Sequence, residues 1–130
     1  MPKYLHYLNA GTRLVAKQPI VIPANADQIA LTNGSLPGSI CRLRVRERKP
    51  FDRVIPEDHA LMVAGTSRGG FSSSRKFTVS TYVQIDSRAV DDLVCVSDRG
   101  SREMTMDEFE KLLAGDFQLK DSQQPPQVID

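Results

Sequence analysis

Between Cys41 and Arg46 the chain alternates strictly: Cys41, Leu43 and Val45 are apolar, while Arg42, Arg44 and Arg46 are cationic. A period of two sends successive side chains to opposite faces of a strand. The stretch, continued to Arg48, therefore has one face for a core and an arginine comb for solvent. Residues 77–85 repeat the signature. Phe77, Val79, Thr81, Val83 and Ile85 face one way, and Thr78, Ser80, Tyr82 and Gln84 face the other. The run His59-Ala60-Leu61-Met62-Val63-Ala64 has no polar alternation, so it is expected to be a strand buried on both faces.

Shorter segments extend the β reading. Ile20-Val21-Ile22 lies between Pro19 and Pro23, which confines it to a short or edge strand. Residues 28–32 run into Asn33-Gly34, a strong hairpin-turn dipeptide. Leu93-Val94-Cys95-Val96 reads as a further strand, and Phe117 with Leu119 as a short late one. Residues 65–76 interrupt the pattern with Gly65, Gly69, Gly70, serines, Arg68, Arg75 and Lys76. That composition predicts a flexible hairpin tip able to serve as a binding loop.

One helix is predicted. Thr105-Met106-Asp107-Glu108 is a capping box, with Met104 and Phe109 at the staple positions. Phe109, Leu112 and Leu113 make its apolar stripe, and Gly115 is the expected stop. The fold class is therefore mainly β, a small β-barrel or β-sandwich of about six to eight strands with one C-terminal α-helix. The organisation is an N-terminal arm over residues 1–13, one β-rich domain over 14–120 and a flexible tail over 121–130, which contains Pro125-Pro126. No apolar run is long enough to span a membrane, and residues 1–8 lack a signal-peptide core.

Chemistry is sparsely signalled. The two histidines, His6 and His59, belong to no nucleophile elbow or phosphate loop. No catalytic residue, metal ligand or cofactor is assigned, and enzyme activity is not expected. No cleft is expected in which a histidine touches both a hydroxyl and a carboxylate. Asp86, Asp91, Asp92 and Asp98 do not have EF-hand spacing. The candidate binding residues are Arg42, Arg44, Arg46 and Arg48 on the strand, with Arg68, Arg75 and Lys76 from the basic stretch. A formal net charge of +1 and the scarcity of aromatics argue against nucleic acid. A solvated face paired with carboxylates of a neighbouring strand explains the comb more simply. The acidic C-terminal part, from Glu103 to Asp130, is a second possible source of partners for these arginines. Cys41 and Cys95 form no C-x-x-C pair and have no histidine cluster nearby. Two readings stay open for them: separate buried thiols, or one cross-strand disulfide.

Arg44 and Arg48, with Ser67 and Gly70, partly resemble the paired motifs of PilZ domains, β-barrels that bind cyclic di-GMP; Gly65 departs from that pattern where an Asp or Asn belongs. A broader resemblance runs from about Leu14 to Leu119. Gln18-Pro19-Ile20-Val21-Ile22-Pro23 is followed by Asn33-Gly34, Cys41-Arg42-Leu43-Arg44-Val45, Val54-Ile55-Pro56-Glu57, Leu93-Val94-Cys95 and Gly115-Asp116-Phe117. This order resembles a family of small uncharacterised proteobacterial cell-envelope proteins, periplasmic or lipid-anchored. The resemblance implies export, a Cys41–Cys95 disulfide, and no assigned activity or ligand. The expected function is a non-enzymatic periplasmic or envelope-associated module that contacts another protein or an envelope component. Residues 65–76 and the arginine face would supply its contacts. The runner-up is a cytoplasmic nucleotide- or nucleic-acid-binding β-barrel using the same arginines.

Overall fold

A curled antiparallel sheet of seven strands, shaped as a half-barrel, carries the computed structural model. Described are residues 3–31, 38–73, 76–97 and 102–120, those from 71 to 77 without their side chains. The turn expected at Asn33-Gly34, and Arg75, Asp98 and the 121–130 tail, lie outside the described residues, as does the side chain of Lys76.

The strands are β1 (Arg13–Ala16), β2 (Ile20–Ile22), β3 (Gln28–Leu31), β4 (Ile40–Val45), β5 (Arg53–Ile55), β6 (Ala60–Ser73), β7 (Lys76–Asp86), β8 (Val90–Val96) and β9 (Phe117–Lys120). The helix α1 spans Met106–Leu113. Strand order in the large sheet is β3-β4-β8-β7-β6-β1-β9, and β2 pairs with β5 as a separate ribbon. The fold class is as the sequence pattern indicates. The strand number, nine among the described residues, exceeds the expected range, β1 and β5 being the two strands that the sequence pattern did not single out.

Burial follows the alternation. Cys41, Leu43 and Val45 of β4 are buried, as are Val83 and Ile85 of β7 and Leu93 and Cys95 of β8. They meet Phe109, Leu112 and Leu113 of α1, along with Met104, Leu5, Leu14 and Phe117, in one core. Two expectations are corrected. Residues 60–64 are not buried on both faces, since Leu61 and Val63 point inward while Met62 is 45% exposed. Residues 65–73 are not a loose tip but the regular continuation of β6, paired residue by residue with β7. The N-terminal arm is anchored: Tyr4 bridges to Thr105, a 3-10 turn covers Leu5–Tyr7, and Leu5 is wholly buried. Backbone hydrogen bonds from Leu5 to the Met104 carbonyl and from Met106 to the Lys3 carbonyl fasten it.

The capping box forms as expected. Glu108 N–H donates to Thr105 Oγ1 at 3.2 Å, and Thr105 N–H donates to Glu108 Oε1 at 2.9 Å. The helix then ends at Ala114 in a right-handed conformation, so Gly115 does not supply the left-handed cap expected of it. Arg102 adds two hydrogen bonds of 2.9 Å to the Glu108 carboxylate. That guanidinium, helped by the Thr105 amide, pulls the Glu108 pKa down to about 2. A folded pKa below the unfolded one stabilises the fold above the unfolded value of 4.5, and the effect fades as pH falls toward 2. Arg102→Met is therefore expected to cost about 1 kcal/mol at pH 6, after allowance for solvent screening. Urea midpoints at pH 6 and pH 2.5 check this: the gap between variant and parent should close at the lower pH.

Candidate functional site

The arginine comb resolves into ion pairs on the outer face. Arg44 donates from Nε and Nη2 to the two carboxylate oxygens of Asp92, both at 2.7 Å, and lies 5.3 Å above the Tyr82 ring. The hydrogen bonds to Asp92 raise the Arg44 pKa further above its ordinary value. Arg46 meets Asp91 at 3.3 Å and Arg48 meets Asp27 at 3.2 Å. Arg42 is exposed and has no ion-pair partner among the described residues. The register explains the main pair, since Arg44 lies directly opposite Asp92 across β4 and β8. The comb is thus paired with β8 and the segment before β3, not with the acidic C-terminal part.

Cys41 and Cys95 also lie directly opposite each other, on the inner face of the same two strands. Their sulfurs are at disulfide-bonding distance, and both residues are fully buried. Met104 Sδ touches Cys41 Sγ at 4.0 Å.

The most concentrated polar chemistry lies elsewhere, beneath the N-terminal turn. Glu103 is only 5% exposed. Its Oε2 accepts from the His6 backbone N–H and from Thr81 Oγ1, both at 2.8 Å, and its Oε1 meets His6 Nδ1 at 2.5 Å. Arg68 Nη1 lies 3.9 Å from the same oxygen. Thr66 Oγ1 donates to the His6 carbonyl at 2.9 Å. The His6 ring packs against Tyr7, with centroids 4.2 Å apart. His6, residues 66–70 and Val79 border a concavity of about 660 Å³.

A β-bulge creates this arrangement. The register of β6 on β7 shifts between Val63 and Gly65. Before the shift the odd-numbered residues Leu61 and Val63 face inward. After it Thr66 and Arg68 do, because they pair with Val83 and Thr81. One extra residue therefore aims Arg68 at Glu103. The same parity sends Ser67 to the outer face, where its Oγ accepts from Gln84 Nε2 at 3.0 Å. Gly69 shares that face; a Cβ there would lie 3.2 Å from the Tyr82 ring, so the missing side chain lets the tyrosine lie flat beneath Arg44.

An imidazole held by a buried carboxylate is two-thirds of an acid–base triad. The sequence reading did not anticipate this pair. The third member is not supplied: among the described residues no hydroxyl meets the His6 ring, Ser67 faces the other way, and Thr66 is bonded to the His6 backbone. The cleft also holds Arg68, whose side chain is 56% exposed, beside the oriented imidazole. His59 lies apart, exposed, at a second concavity bordered by Arg46, Asp86 and Arg88. The described residues contain no group of three side chains able to hold a metal ion. No helix of the described residues is long and apolar enough to cross a membrane. Among family models, curated proteins and solved structures, none matches this chain.

Proposed function

We propose that this chain is a non-enzymatic binding module of an oxidising compartment, the bacterial periplasm or envelope, and that it contacts a partner protein through the β6–β7 hairpin. The observation that carries the reading is a mismatch in strand length. β8 covers β7 only at residues 80–84, and β1 covers β6 only at residues 60–62, while the hairpin runs on to Ser73. A long arm whose outer edge has no strand partner among the described residues, set on a rigid sheet, is suited to contact. The bonding distance between Cys41 and Cys95 supports an oxidising compartment, and the resemblance to envelope proteins points the same way. The runner-up, nucleic-acid binding through the comb, is weakened because three of its arginines are already neutralised by Asp27, Asp91 and Asp92.

A free-thiol count tests the compartment. Protein acid-quenched and denatured without reductant, straight from its native host, is expected to show no free thiol and to run as a monomer on a non-reducing gel. Free thiols on both cysteines would overturn this reading. Binding of a DNA 20-mer with a steep inverse salt dependence would put the runner-up in its place.

A further inference from the structure

The open edge of β6 and the cleft under the N-terminal turn are one continuous surface. Gly11 and Thr12 exchange backbone hydrogen bonds with Val63, and beyond that point the outer side of β6 has no strand partner among the described residues. In an antiparallel strand, alternate residues turn both N–H and C=O away from the existing neighbour. An extended chain laid along residues 65–70 would therefore find a ready ladder. Gly65, Gly69 and Gly70 leave that edge without bulky side chains at half of its positions.

The polar groups along this edge are unequally used. Glu103 is saturated by the His6 amide, the His6 ring and Thr81, and it lies at the floor. Arg68 reaches it only at 3.9 Å, and more than half of the Arg68 side chain is exposed. The His6 ring, held at Nδ1 by Glu103, forms one wall of the cleft. The guanidinium of Arg68 complements an anion, and an arginine fork matches a carboxylate best.

We infer that the cleft captures an extended segment of a partner protein by strand addition to β6, and that Arg68 selects a glutamate or aspartate side chain on that segment. This rests on the binding-module reading and gives the partner its chemistry: a β-forming stretch carrying an inward-pointing carboxylate.

Two probes test it, both acetylated and amidated hexapeptides of alternating threonine and valine. One carries a central glutamate, the other a glutamine in its place. Each is titrated into ¹⁵N-labelled full chain and followed by amide shifts. The glutamate peptide is expected to shift residues 65–70 and His6, and to bind about tenfold more tightly than the glutamine peptide. Arg68→Gln is expected to abolish that preference while leaving the thermal midpoint in place, since the arginine head is exposed. Equal affinity of the two peptides, or a preference that survives Arg68→Gln, would overturn carboxylate selection. Shifts confined to the edge strands β3 or β9 would overturn this site and leave the binding-module reading standing. No shift anywhere at millimolar peptide would overturn both.

Discussion

Replacing Cys41 and Cys95 together with alanine is expected to remove about 5 kcal/mol of unfolding free energy, about 4 kcal/mol of it from the lost cross-link. The two are 54 residues apart in sequence, and the loop they close contains β5, β6 and β7 whole. A cross-link over so long a loop removes many conformations from the unfolded chain. A loss of that size is a large fraction of the stability of an ordinary domain, about 5–15 kcal/mol. Both sulfurs are fully buried and Met104 packs on one of them, so alanine also leaves a small void. Its cost, about 1 kcal/mol, adds to the cross-link term. Parent protein refolded in reductant separates the two contributions, because it loses the bond and keeps the volume. Urea midpoints of the oxidised parent, the reduced parent and the double alanine variant should fall in that order. Coincidence of the first two would mean that the sulfurs approach each other without bonding.

The alternating strands were legible because they are half-buried and written in single-residue steps. At residues 41–45 and 77–85 the inward set is apolar or small, and the pattern survives without knowledge of the neighbours. β1 and β5 were not legible because each opens on an arginine, Arg13 or Arg53, followed by only two or three apolar residues without alternation, whereas β2, equally short, was set off by Pro19 and Pro23. The upper half of β6 was misread for a different reason. Gly65, Gly69, Gly70 and the serines have low intrinsic strand preference, and their extended form comes from pairing with the better β sequence of β7. The capping box was readable because all its members lie within one turn. The cleft was not, because His6 and Glu103 are separated by 97 positions and meet only through tertiary packing. One local hint existed: Leu5 and Leu8 flank His6, and two apolar residues at helical spacing near a terminus suggest a turn that docks rather than an arm that floats. The bulge at Ala64 left no such hint, yet it decides whether Arg68 or Ser67 faces Glu103.

Glu103→Ala is expected to unfasten the N-terminal turn at a cost of about 3 kcal/mol. The carboxylate is the shared acceptor for the His6 amide, the His6 ring and Thr81. Thr81 is completely buried, so its hydroxyl would be left without a partner in a place water does not easily reach. The His6 amide would lose its acceptor as well. Leu5, wholly buried one residue away, depends on the same turn for its position in the core. Glu103→Gln keeps the shape and one acceptor oxygen but replaces the other with a donor that faces donors. Its expected cost is about half that of alanine. Hydrogen exchange separates a local detachment from a general loss of stability. Leu5 donates to the Met104 carbonyl and Leu8 to the Leu5 carbonyl, so both amides report on the turn. In the alanine variant they should exchange much faster, while the amides of β4 and β8 slow or quicken only with global stability. Unchanged protection at Leu5 and Leu8 would show that apolar contacts and backbone hydrogen bonds hold the turn without Glu103. The same variant also bears on binding: Glu103 is the carboxylate nearest Arg68, so its loss should not weaken the preference for the glutamate peptide where the fold persists. Arg68→Gln should remove that preference without disturbing the two amides, because Arg68 reaches Glu103 from the solvent side and holds nothing in place.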